Sequence, residues 1–229
     1  MIRTTGLAMI AALLAFAGSI EAGSKETKVV RTAVEVLEEI TAIPEKGIPP
    51  SLLHDAHGIA VFPGVIKVGF VVGGRHGRGV LLIRDGRGGW SNPIFTTLTG
   101  GSVGWQIGAQ STDVILVFKS GKSVEGIMRG KFTLGADAAV AAGPVGRRVE
   151  AATDAQLQAE IYSYSRSRGL FAGVSIEGAA LQIDDDANAG FYGKEGVRPG
   201  EIVHGADLPS SPEAGKLREF LAKHARASE

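Results

Sequence analysis

Between Gly58 and Ile183 the chain repeats one device, a short apolar and β-branched run followed by glycine. Ile59-Ala60-Val61-Phe62 runs into Pro63-Gly64, Val65 to Val72 into Gly73-Gly74, and Val80-Leu81-Leu82-Ile83 into Asp85-Gly86-Arg87-Gly88. Runs of this kind, bounded by turn formers, read as strands, and the Asp-Gly pair reads as a hairpin turn. Trp90 to Leu98, Val103 to Ala109, Val114 to Phe118, Lys131 to Leu134, Ile161 to Ser167, Leu170 to Ile176 and Ala179 to Ile183 read as further extended segments. Glycine supplies 33 of 229 residues without a Gly-X-Y period. The excess therefore serves tight turns and close strand approach, not a collagen helix.

Helical periodicity is confined to the ends. In Ser24 to Ile43, Val30, Ala33, Val34, Leu37 and Ile40 fall at helical spacing, with charged residues elsewhere on the wheel. Ser51 to Ala56 reads as a short helix after Pro49-Pro50. Ser211-Pro212 opens a last amphipathic helix, Ser211 as the cap, with Leu217, Phe220, Leu221 and His224 on one face. Closely spaced strands without interleaved helices imply an α+β fold: a mainly antiparallel sheet curled into a sandwich or partial barrel, with amphipathic helices at the N- and C-terminal ends. No linker-like stretch interrupts residues 58–183, so 23–229 is expected to form a single domain. Residues 1–22 read as a signal peptide: Arg3, an apolar run from Gly6 to Phe16, and small residues at Ala15, Ala17 and Ala22. The apolar run is shorter than the roughly 20 residues that span a bilayer. The mature chain is then periplasmic or secreted, with membrane association open to it.

Composition excludes whole classes of chemistry. There is no cysteine, which removes disulfides, thiolate metal sites and a cysteine nucleophile. Lys+Arg and Asp+Glu are both 24, so no bulk charge favours nucleic acid. With aromatic content of 6% and helical ends, the girdle pattern of a transmembrane barrel is missing.

Several motifs imitate catalytic or binding sites. Gly100-Gly101-Ser102-Val103-Gly104 has the spacing of a nucleophile elbow, and a serine hydrolase using Ser102 is one reading. The elbow needs strand, sharp turn and helix, whereas alternation after Ser102 reads as a glycine hairpin leading into a strand. Ser120-Gly121-Lys122-Ser123 resembles the end of a phosphate-binding loop, but Leu116 stands where its first glycine belongs, which leaves a polar turn. Asp184, Asp186, Asn188 and Glu195 have calcium-loop spacing, but Ala189 occupies the glycine position, so a solvated acidic loop is expected. His54 and His57 are three apart with no third ligand in view. No metal or cofactor is expected.

The arginines form the last constellation. Arg75 and Arg78 flank His76 in what reads as one turn, Arg147 and Arg148 follow Gly143-Pro144-Val145-Gly146, and Arg166 and Arg168 alternate with serines on one strand face. If these loops converge, they make a basic patch whose guanidinium forks suit phosphate.

The segments Gly58 to Pro63, Gly69-Phe70, Gly73-Gly74, Gly89 to Pro93, Gln106-Ile107-Gly108 with Asp113, Lys131 to Asp137, Gly143 to Arg147 and Tyr162 to Ala179 together resemble the SYLF lipid-binding domain family, from about Val30 to about Leu221. The resemblance implies a non-enzymatic module that binds anionic, phosphoinositide-like headgroups at a membrane surface with help from its N-terminal helix. It also implies kinship with fungal actin-binding proteins. Carried onto this chain, it points Lys25, Lys28 and Arg31 towards lipid, beside the Arg75, Arg78, Arg147, Arg148, Arg166 and Arg168 loops. For an exported chain another anionic envelope lipid fits better than a phosphoinositide. The alternative partner is an envelope protein, with the chain as an interaction or structural domain.

Overall fold

A computed structural model describes residues 24–42, 47–86, 88–145, 154–167, 170–205 and 208–225; at 69–72, 102–109 and 154–155 it describes the backbone alone. The expected signal peptide lies outside these residues. Helix α1 occupies 24–41. The elements that follow are α2 (Pro50–His54), β1 (Gly58–Ile83), β2 (Ile94–Phe118), α3 (Gly121–Met128), β3 (Phe132–Thr133), β4 (Val140–Ala142), α4 (Asp154–Gln158), β5 (Ile161–Ser167), β6 (Leu170–Gly173), β7 (Ala180–Ile183), α5 (Asp185–Tyr192), α6 (Pro199–His204) and α7 (Pro212–His224). The expected α+β class holds, with one curled, mainly antiparallel sheet and helices at both ends.

Two long strands organise the sheet. β1 and β2 pair antiparallel from Gly58↔Phe118 to Leu81↔Ile94, with register irregularities between Phe62 and Val65 and between Gly69 and Val71. The expected Asp-Gly turn joins them: the Gly88 N–H donates to the Asp85 carbonyl at 3.1 Å. The far edge of β2 is shared. β7 pairs with Thr96–Thr99 and β5 with Asp113–Phe118. Between these, Gly100–Thr112 has no strand on that edge among the described residues. β4 (parallel) and β6 (antiparallel) extend the sheet beyond β5, and β3 extends it beyond β7. β1 also passes close to itself. The Arg84 N–H donates to the His57 carbonyl at 2.9 Å, and Gly77 lies so near Val65 that an added Cβ would sit 2.7 Å from its methyl group. This self-approach gives the sheet its curl.

Both faces of the sheet are covered at Ile59–Phe62, Val80–Leu82, Ile94–Phe95 and Val114–Phe118, which is why those runs are apolar and do not alternate with polar residues. Ile59, Val61, Val80, Leu82, Phe95, Ile115, Val117, Tyr162 and Tyr164 face α1, α2 and α7. Ala60, Phe62, Leu81, Ile94, Leu98, Leu116, Phe118 and Ile161 face α3 and residues of α5 and α6. Helix α3 is longer than the one helical turn that Ser123 to Met128 suggests, and the interleaved helices α4 to α6 depart from the expectation of strands alone. So does the continuity of β2: the three segments expected between Trp90 and Phe118 form one strand after the Trp90 bridge, with no hairpin at Gly100–Gly104. α7 forms as expected, with the Ala214 N–H donating to Ser211 Oγ at 3.1 Å.

Helix α5 corrects the acidic-loop expectation. Asp184 caps it, accepting from the Ala187 N–H at 3.1 Å. Asn188 is fully buried and exchanges hydrogen bonds with the Phe95 backbone, accepting at 2.9 Å and donating at 3.3 Å. The spacing that imitates a calcium loop is that of an N-cap and an inward-facing helical amide.

Candidate functional site

Where glycines recur in the sequence, a two-stranded ribbon has no third strand beside it among the described residues, and the candidate surface lies there. β1 residues 65–76 and β2 residues 100–112 pair with each other, and no described strand lies along the outer edge of β2 there. Ile66 and Val68 keep 53% and 55% of their surface exposed, far above the buried residues of the same strand. Two residues apart, they share one face, and exposed Lys67 points to the other. The backbone bends at the second irregularity, where Phe70 alone stands between Gly69 and Val71 while Trp105, Gln106 and Ile107 stand between Gly104 and Gly108.

Arg75 and Arg78 lie on β1, opposite Gly100 and Thr97, not in a turn as expected. Arg78 is spent on Asp184 at 3.1 Å. Arg75 differs. It is half-buried, its Nε is sealed from solvent with no hydrogen-bond partner, and burial pushes its guanidinium below the ordinary arginine range. No ion pair engages it among the described residues.

Among the described residues the other candidates lie on separate elements. Arg166 forks onto Asp113, with Nη2 at 2.7 Å and Nε at 2.8 Å from Oδ2, and its Nη1 meets Glu39 of α1. Asp113 also accepts from the Gly64 N–H at 2.8 Å, across the first register irregularity. Burial raises the Asp113 carboxyl from its ordinary range, and the Gly64 N–H opposes that rise. Arg166 is thus a brace tying α1, β2 and β5 together. Arg166→Leu is expected to cost about 1–3 kcal/mol, since Asp113 would keep its burial without its cation. Urea melts check this, and adding Asp113→Asn should recover part of the loss.

Lys25, Lys28 and Arg31 lie on the exposed side of α1, with Arg31 3.8 Å from Glu213 of α7. The apolar stripe beneath them is buried in the core. Arg147, Arg148 and Arg168 lie outside the described residues.

The remaining motifs resolve into structural roles. Ser102 sits in β2 opposite Gly73, so strand continues where an elbow would turn into helix. Ser120 caps α3, and the Ser120 and Ser123 hydroxyls donate to Glu160 at 2.8 and 2.7 Å. These hydrogen bonds hold the Glu160 carboxyl below the usual carboxylate range. The helix start that imitates a phosphate loop already carries an anion. His54 pairs with Asp55 at 2.7 Å. A cleft of about 1030 Å³ beside α5 and α6 is lined by Met128, Tyr192, Lys194, Arg198, Glu201 and His204 among others. Its two cations are taken up by Glu201, Lys194 at 2.8 Å and Arg198 at 2.9 Å.

Sequence reasoning missed Ile66, Lys67 and Val68. The available signal was the lysine itself, since a strand buried on both faces has no place for Lys67. It also missed Arg84, which donates to the carbonyls of Leu53, His54 and Ala56 and lies 4.6 Å over Trp90, closing the end of α2.

A curled single-sheet α+β domain that presents a glycine-rich ribbon is the class these features define. Residues 99–224 match the Ysc84 family model, described as "Las17-binding protein actin regulator". The chain is 38% identical over 197 residues to SH3 domain-containing YSC84-like protein 1 of Xenopus laevis, covering 83% of this chain and 58% of that protein. The Homo sapiens protein of the same name is 36% identical over 197 residues, with 83% and 57% covered. Protein YSC84 of Saccharomyces cerevisiae is 38% identical over 172 residues, with 74% and 36% covered. The chain belongs to the Ysc84 family, whose shared unit is the SYLF domain. It spans little more than half the length of the YSC84-like relatives and about a third of the yeast protein.

Proposed function

We propose that this chain is a non-enzymatic module that binds anionic, phosphoinositide-like phospholipid headgroups at a membrane surface, in the cell envelope or outside the cell. The observation that supports this most directly is Arg75. A guanidinium that has lost water on one side and gained no carboxylate among the described residues is uncompensated there, and a phosphate accepting from its fork would supply a partner. Lys67 stands on the same ribbon as a second cation. Each basic charge near an anionic surface adds roughly 1 kcal/mol of attraction.

The test is co-sedimentation of residues 23–229 with neutral and anionic vesicles across a salt series. Anionic-selective binding that weakens as salt rises is expected. Arg75→Gln should lower the anionic affinity about fivefold or more while leaving the fold intact. Equal binding to neutral and anionic vesicles would rule the reading out.

The family description favours a second reading, a protein-docking domain of the actin-regulating kind. Co-sedimentation with actin filaments in the absence of lipid would support it.

A further inference from the structure

We infer that the β1–β2 ribbon is the element that enters the membrane, with Ile66 and Val68 passing into the boundary between headgroups and acyl chains while Lys67 stays among the headgroups. This deepens the lipid reading above and rests on it. Among the described apolar residues of β1 and β2, Ile66 and Val68 alone stand more than half exposed, on one face of β1. They sit where, among the described residues, β2 has no outer strand neighbour, and residues 66–68 of β1 are all exposed. Lys67 lies between them in sequence and on the opposite face, the arrangement of a long cationic stem reaching back to the interface.

The sequence of the bend fits the same environment. Phe70 stands in β1 against Trp105, Gln106 and Ile107 in β2, and aromatic residues, tryptophan above all, collect at the membrane interface. Glycines at 69, 73, 74, 101, 104 and 108 keep the ribbon thin. An anionic bilayer, not a second copy of the chain, is the occupant that answers both the exposed apolar pair and the cations beside it. A like copy would bring Lys67 and Arg75 against their own kind.

Trp90 and Trp105 are the two tryptophans. Trp90→Phe leaves Trp105 as the reporter on the ribbon. On vesicles with anionic lipid its emission is expected to shift to the blue and to be quenched by lipids brominated on the acyl chain. The Trp105→Phe protein, reporting from buried Trp90, should show neither change. Ile66→Asn with Val68→Asn, both at exposed positions, should lower vesicle partitioning about tenfold or more without moving the melting temperature. Vesicle binding with no shift, no quenching and no effect of the asparagines overturns the insertion while leaving the lipid reading standing. No binding to any vesicle overturns both. A blue shift that grows with protein concentration in the absence of lipid assigns the ribbon to self-association and overturns the insertion.

Discussion

Gly79→Ala is expected to lower the melting temperature by about 10 °C, and Gly74→Ala to leave it nearly unchanged. Both glycines lie in β1, and strand propensity alone says that alanine should be slightly better than glycine at either, by roughly 0.5–1 kcal/mol. Space decides otherwise. A Cβ on Gly79 would stand 2.2 Å from the Val61 carbonyl oxygen, 2.6 Å from Phe62 Cδ1 and 2.8 Å from Phe62 Cα. Two of these atoms are backbone, and Phe62 is fully buried, so no side chain can swing aside. Overpacking in such a site costs about 1–3 kcal/mol and more when backbone must move. For a domain of this size each kcal/mol is roughly 2–4 °C. Around Gly74 nothing lies within 4 Å. Thermal melts of the two variants settle it: a Gly79→Ala protein as stable as the parent would mean that β1 does not pass over itself as described.

That contact also marks where the sequence stops being readable. Strand runs, the Asp-Gly turn, the Ser211 cap and the terminal helices are local patterns, fixed by residues a few positions apart. The fusion of Trp90-to-Phe118 segments into one strand is not local. Glycine signals a turn and a close approach equally well, and only the partner backbone, Val61 for Gly79 or Ala179 for Gly100, shows which applies. Helix α5 was hidden for a related reason. Its Asp184-Asp185-Asp186 start reads as a polar loop until Asn188 is seen bonded to Phe95, 93 positions away. The cations followed the same rule. Arg166 and Arg78 carry the residue type of a phosphate site, but Asp113, Glu39 and Asp184 reach them from other elements. Arg75 is legible in the sequence as a candidate; that its Nε is buried without a partner and that no described carboxylate pairs with it is not. Ile66 and Val68 fall in the apolar run Val65 to Val72, where nothing local separates an exposed residue from a buried one.

The same distinction between apolar residues that are used and those left over bears on α1, to which the family resemblance assigns a lipid-binding part. Leu37→Ala is expected to cost about 2–5 kcal/mol. Leu37 is 2% exposed, and Val30, Ala33, Val36 and Ile40 beside it are equally buried against Ile59, Leu82, Phe95 and the α7 residues Leu217 and Leu221. For this stripe to lie on a bilayer, α1 would have to leave the core. Each large side chain so exposed forfeits about 1.5–3 kcal/mol, and together they approach the 5–15 kcal/mol that typically holds a domain folded. The helix can therefore offer lipid an outer cation such as Lys28, but not its apolar face. Leu37→Ala should shift the urea midpoint strongly and leave vesicle affinity per folded molecule unchanged. Lys28→Gln should do the reverse, sparing stability and weakening anionic binding in a salt-sensitive way. A Leu37→Ala protein that keeps its stability and loses vesicle binding would return the membrane role to α1.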